Sequence, residues 1–78
     1  MQSFIPMGIR VTAWRLTHPM SGAARCVISE RDGRWHLIVQ QGRVVTLAER
    51  CSSDDEALER ANRIWSAMKG QGWTEPTH

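Results

Sequence analysis

A chain of 78 residues with a net charge of +2 has room for one domain and one core, and a charge that mild does not by itself identify a partner. A domain of this size buries only roughly 60% of the surface its unfolded chain exposes, so its stability margin is narrow. Two cysteines, Cys26 and Cys51, exclude a disulfide framework and lack C-x-x-C spacing. The opening "MQSFIPMGIR" has no basic segment followed by a long apolar run, and no stretch approaches the ~20 apolar residues of a membrane span. A reduced, cytoplasmic protein that does not contact a membrane is the expectation.

Residues 1–8 read as an arm in which Phe4 and Ile5 could dock, and Met7 is an alternative start. "IRVTAWRL" (9–16) is β-rich but ambiguous in phase: either Ile9, Val11 and Ala13 face inward, or Thr12, Trp14 and Leu16 do. "THPMSGA" (17–23) is a connection marked by Pro19 and Gly22. The runs 24–31 and 34–40 flank Asp32-Gly33, a strong short-range hairpin signal, because a type I′ turn needs positive φ at both central residues.

That turn predicts a register in which Arg31 opposes Arg34, Ser29 opposes His36 and Val27 opposes Ile38. With a period of two, Ala24, Cys26, Ile28, Trp35, Leu37 and Val39 share the core face, and Arg25, Val27, Ser29, Arg31, Arg34, His36, Ile38 and Gln40 share the other. A further strand covers 43–49. A three-residue loop with a bulge at Gly42 would bury Val45 and Leu47 and turn Val44 outward; a two-residue Gln41-Gly42 turn would bury Val44, Thr46 and Ala48. The first buries the larger pair and is the expected one.

Ser53 followed by Glu56 is a capping box, and it predicts a helix over 54–69. Asp54, Asp55 and Glu56 suit its positive end and Lys69 its negative end. Ala57, Leu58, Ala61, Ile64, Trp65 and Met68 form an apolar stripe, with Glu56–Arg60 and Glu59–Arg63 as i,i+4 pairs elsewhere on its surface. Gly70 is expected as the C′ residue, Trp73 to fold back on the core, and 74–78 to be a flexible tail. The expected fold class is α+β: a small antiparallel sheet of three to four strands against one C-terminal helix, forming a single domain over 9–73.

No catalytic set emerges. Cys26 and His36 point to opposite faces in the predicted register, which fails the geometry of a nucleophile and its base. Cys51 precedes the helix N-terminus, but no companion base is identifiable. His18, His36, His78, Cys26 and Cys51 are scattered without metal-ligand spacing, and the glycines form no phosphate-binding loop. No enzyme activity, no cofactor, no metal and no small-molecule substrate is therefore expected.

The candidate site is the outer sheet face. Arg25, Arg31, Arg34, His36, Gln40 and Arg43 are the residues expected to bind nucleic acid or another partner, around an apolar patch of Val27, Ile38 and Val44. The plain alternative is a solvated face whose β-branched residues serve strand propensity. The charge distribution favours function: Arg10, Arg15, Arg25, Arg31, Arg34 and Arg43 face only Glu30 and Asp32 before residue 49, whereas 49–69 is slightly acidic. DNA is the first expected ligand of this binding module. A protein–protein interaction module is the second, whether a homodimer or a small phage- or plasmid-type regulator of a larger partner.

Arg25-x-Val27, Gly33-Arg34-Trp35 and Arg43-Val44-Val45 ahead of "SSDDEALERA" resemble the ethylene-response-factor and integrase-type DNA-binding domains over about residues 24–66. The resemblance implies a three-stranded sheet backed by a helix and laid in the major groove. Only Arg25 and Arg43 match contact positions; Ile28, Glu30, Asp32 and Ile38 stand where that family has other residues, and an extra strand precedes the hairpin.

Overall fold

The computed structural model describes residues 8–76. The proposed arm, and with it Phe4, Ile5 and Met7, lies almost wholly outside this range, as does His78. Strands β1 (Ile9–His18), β2 (Gly22–Arg31), β3 (Arg34–Gln41) and β4 (Val44–Cys51) precede helix α1 (Asp54–Lys69). The strands form one antiparallel sheet in the order β1-β2-β3-β4, with α1 across one face. The fold is α+β, as the pattern of the chain predicts.

The Asp32-Gly33 turn has φ of 55° and 76°, the two positive values that a type I′ turn requires. It sets every β2–β3 pair at its expected position, from Arg31 opposite Arg34 to Cys26 opposite Val39. The β1–β2 connection is tighter than expected, since Thr17 and His18 pair with Ala23 and Gly22 and leave only 19–21 to turn. His18 Nδ1 accepts the Met20 N–H at 3.0 Å and steadies that turn.

The phase of β1 resolves in an unexpected way: both alternatives hold, in different halves. Val11 opposes Ile28 and Trp14 opposes Cys26, so both lie on the α1 face. The register shifts between Thr12 and Trp14, and Ala13 is the extra residue of a β-bulge.

The β3–β4 connection corrects the sequence-based expectation. Gly42 and Arg43 form a two-residue turn in which Gly42 has φ 59°, as a type II′ turn demands at its first central position. The extra residue sits inside the strand instead: Val39 opposes Leu47 while Gln40 opposes Val45, and Thr46 donates its hydroxyl to the Val39 carbonyl at 3.3 Å. Leu47 therefore packs on the core as expected, but Val45 stands on the open face and Val44 on the α1 face, the reverse of the prediction.

Helix α1 begins and ends where predicted. Ser53 Oγ accepts the Glu56 N–H at 3.2 Å, and the Glu56 carboxylate accepts from the backbone and hydroxyl of Ser52. Glu56 is thus committed to the cap, and Arg60 pairs with Glu49 of β4, Nη2 to Oε2 at 2.7 Å, not with Glu56. The Glu59–Arg63 pair forms at 3.2 Å.

Ala57, Ala61 and Met68 are buried and Ile64 packs beside them, but Leu58 is 50% exposed, so the buried stripe is narrower than predicted. Ala57 and Ala61 take the line that faces the sheet, and Leu58, one residue round the helix from Ala57, lies to the side of it, beside β1. Gly70 stays right-handed at φ −66°, and it is Gly72, at φ 98°, that reverses the chain. Trp73 then folds back, 6% exposed, against Leu16, Ala24 and Met68. Thr74, placed in the tail by the sequence, exchanges two backbone hydrogen bonds with Thr17 at 2.7 and 2.8 Å.

Among the described residues two clusters make up the core. One gathers Cys26, Ile28, Leu37, Val39, Cys51, Ala57 and Ala61, the other Leu16, Ala24, Met68 and Trp73, and Trp14 and Ile64 touch both. The Trp14 indole N–H donates to the Ala61 carbonyl at 2.8 Å, pinning the middle of the helix to β1.

Candidate functional site

The face turned away from α1 is ordered in rows by the register. Across the middle run Thr12, Val27, Ile38 and Ala48. One row away lie Arg10, Ser29, His36 and Arg50; one row away on the other side lie Arg15, Arg25, Gln40 and Val45. Arg31 and Arg34 close one end beside the hairpin turn. Neighbouring rows are about 7 Å apart along the strands, and neighbouring strands about 4.8 Å apart.

Arg10, Arg15, Arg25, Arg31, Arg34 and Arg50 are all exposed. No aspartate or glutamate occupies a strand position on this face: Glu30 opposes Trp35 and Glu49 opposes Leu37, both on the α1 face. Among the described residues none of these arginines has an ion pair, and the one contact of the set is Arg25 Nη2 to Gln40 Oε1 at 3.3 Å. Two pairs of arginines stand directly opposite one another across strands, Arg15 with Arg25 and Arg31 with Arg34. Like charges so placed oppose sheet stability.

The predicted site residues divide. Arg25, Arg31, Arg34, His36 and Gln40 come together on the face, with Ile38 half-buried among them. Arg43 stands in the Gly42-Arg43 turn, off the strand rows. Val27 is only 3% exposed, and Val44 occupies the α1 side, so the apolar patch of Val27, Ile38 and Val44 does not assemble as an exposed surface.

Arg10, Arg15 and Arg50 were not foreseen. Arg10 and Arg15 are an odd number of residues apart, and an unbroken strand would send them to opposite faces; the bulge at Ala13 unites them. Arg50 escaped because β4 runs on to Cys51, a hydrophobic position two beyond Glu49 that would have signalled the continuation.

Shallow depressions flank the middle row. One of about 520 Å³ is lined by Ser29, Arg31, His36, Ile38, Ala48, Glu49 and Arg50. Another of about 380 Å³ includes Arg15, Arg25, Gln40 and Thr17. On the opposite side a strongly apolar cleft of about 240 Å³ opens between β1 and the start of α1, lined by Ile9, Val11, Ala13, Ile28, Trp35, Asp54 and Leu58.

The nucleophilic candidates are held in their unreactive forms. Burial pushes the Cys26 thiol up to about 11, and Cys51 adds to the shift. Burial also raises the Cys51 thiol, with Glu56 and Glu49 contributing and Arg60 opposing them. His36 and Cys26 lie on opposite faces of the sheet. His18 packs its ring against Trp73 at 5.2 Å. Among the described residues no three of His, Cys, Asp and Glu gather as a metal site, and no helix is long and apolar enough to cross a membrane. The Glu49 carboxyl is held below its ordinary value by hydrogen bonds from Arg60, whose guanidinium is raised in turn.

Comparison with protein-family models, curated proteins and solved structures finds no match. The likeness to the ethylene-response-factor type domains thus rests on element order and Arg25, since Arg43 lies in a turn and β1 adds a fourth strand.

Proposed function

We propose that the protein is a non-enzymatic binding module whose open sheet face takes nucleic acid, with DNA as its ligand. The observation that carries this is the single sign of charge on that face: Arg10, Arg15, Arg25, Arg31, Arg34 and Arg50 without one acidic strand residue among them. Solubility is served by mixed charges, and a single-sign array is the arrangement that suits a polyanion. Arginine also offers the planar fork that meets phosphate oxygens two at a time. His36, Ser29 and Gln40, half-buried between the arginines, supply further hydrogen-bonding groups.

The test is fluorescence anisotropy of labelled DNA titrated with the protein over a series of salt concentrations. Affinity should fall linearly with log salt, with a slope of about −0.9 for each phosphate neutralised on duplex DNA. Absence of binding at micromolar protein in low salt overturns the reading.

A second reading, a protein–protein interaction module, draws on a different surface. Ile9, Val11 and Leu58 are each half-exposed around the apolar cleft beside β1. Sedimentation of the parent and of Val11→Ser with Leu58→Ser tests it: self-association lost in the variant supports the reading, and a parent that is monomeric at all concentrations removes the homodimer.

A further inference from the structure

We propose that the depression beside the hairpin end of the open face is a binding site for a phosphate monoester, held between Arg31 and Arg50 over His36 and Ser29. The site goes beyond the reading of the whole face as a DNA surface, since a free nucleotide and the phosphorylated end of a strand present the same group.

Strand parity brings these residues together. Ser29 and His36 share one row of the open face, and Arg50 completes that row from β4. Arg31 lies two residues beyond Ser29 on β2 and so on the same face. Two strand spacings and one row separate the Arg31 and Arg50 Cα atoms, about 12 Å, with His36 on the strand between. Both arginines are exposed, while Ser29, His36 and Ile38 are half-buried, so the charges form the rim and the imidazole and hydroxyl lie toward the floor.

The charge of the site is left uncompensated. Glu49, the one acidic residue of the lining, belongs to the α1 side of the sheet, where its carboxylate accepts from Arg60 Nε at 2.9 Å and Nη2 at 2.7 Å. Among the described residues Arg31 and Arg50 have no acidic partner. Guanidinium forks donate paired N–H groups to phosphate oxygens, and a monoester carries more charge and one more terminal oxygen than the diester inside a strand. Two arginines with an imidazole and a hydroxyl suit the more highly charged group. The volume of about 520 Å³ lies within the range of ligand pockets, and Ile38 and Ala48 add an apolar wall for what the phosphate carries. The other depression on this face lacks that balance. Leu16, Ala23, Ala24 and Pro76 line it beside Arg15 and Arg25, and Arg25 is bonded to Gln40 at 3.3 Å.

The test is titration of the full chain followed by backbone amide NMR shifts. The probes are adenosine monophosphate, its cyclic diester, adenosine, and a short DNA strand with and without a terminal phosphate. The monoester should bind saturably, shift residues around Ser29, His36 and Arg50, and bind about tenfold or more tightly than the cyclic diester. Arg31→Gln and Arg50→Gln should each lower that affinity about tenfold, whereas Arg63→Gln, an equal change of charge on α1, should leave it within about twofold. Thermal melting checks that each variant is folded. A strand that gains affinity from its terminal phosphate and outcompetes the free nucleotide identifies a strand end as the source. A free nucleotide bound as tightly as that strand identifies a small molecule, and either result supports the proposal. Equal binding of monoester and diester, no saturable shift with any monoester, or folded Arg31 and Arg50 variants with the parent's affinity overturn it. The DNA reading of the whole face is decided separately, by the salt dependence of duplex binding.

Discussion

Under α1 the sheet presents Leu16, Cys26 and Leu37 with no exposed surface, and Trp14 and Trp35 pack beside them. Across the same strands, on the open side, the equivalent rows carry Arg10, Arg15, Arg25, Arg31, Arg34 and Arg50. The covered face is explained by stability: apolar area leaves water, and the polar groups present are paired, as with the Trp14 indole on Ala61 and Glu49 on Arg60. The open face is not explained that way. It sets arginine against arginine twice, which stability alone disfavours. Where a sheet accepts an arrangement its own energetics resist, the reason is best sought in what the surface meets.

If that division is right, truncation should be severe on one face and mild on the other. Leu37→Ala, at a side chain 0% exposed, should cost about 2–5 kcal/mol in urea denaturation, a large share of the stability of so small a domain. Leu58→Ala, at a leucine 50% exposed, should cost far less, and an equal loss would show that α1 buries a different stripe. Ser53→Ala should cost about 0.5–2 kcal/mol through the lost cap on α1, read in the same denaturation experiment. Trp14→Phe should cost about 1 kcal/mol, since the ring is kept while the hydrogen bond to Ala61 goes.

The acid limb of stability sharpens the comparison further. Glu49 is lowered by Arg60, and Glu56 by the Ser52 backbone and hydroxyl, so both contribute stability above the ordinary carboxylate value of 4.5 and lose it as pH falls through their depressed values. Arg60→Gln should therefore reduce the melting temperature at neutral pH and flatten its decline below about pH 4.5, whereas Arg34→Gln on the open face should leave the shape of that decline unchanged. The smallest effect belongs to the arginines: Arg25→Ala should change stability by no more than about 0.5 kcal/mol while weakening DNA binding. A large loss of stability there would return the open face to a structural role.

Much of this architecture is legible without coordinates because its signals are local. Asp32-Gly33 carries its own backbone requirement, and a two-residue turn leaves the following pairs no freedom of register. Ser53 and Glu56 start α1 by satisfying donors within a single turn of chain. From those two features follow the core face of β2 and β3, the solvent-facing positions of Arg25, Arg31, Arg34 and His36, and the course of the helix.

The bulges at Ala13 and Thr46 are of another kind. Neither is marked by glycine or by turn chemistry, and each is set by packing between distant segments. In β1, Ile9 and Val11 lie on the α1 side in one half, while Trp14 and Leu16 must meet Ala61, Met68 and Trp73 in the other; one extra residue reconciles the two phases. In β4 the extra residue lets Leu47 reach the core while Gly42-Arg43 keeps a tight turn. Both bulges lie in edge strands, where they also blunt the unpaired ladder. Local sequence thus determined the hairpin, the helix and the arginines of β2 and β3. Tertiary packing decided that Arg10 joins Arg15 and that Val44 and Val45 exchange sides, because the parity of a bulged strand depends on which of its residues the core accepts.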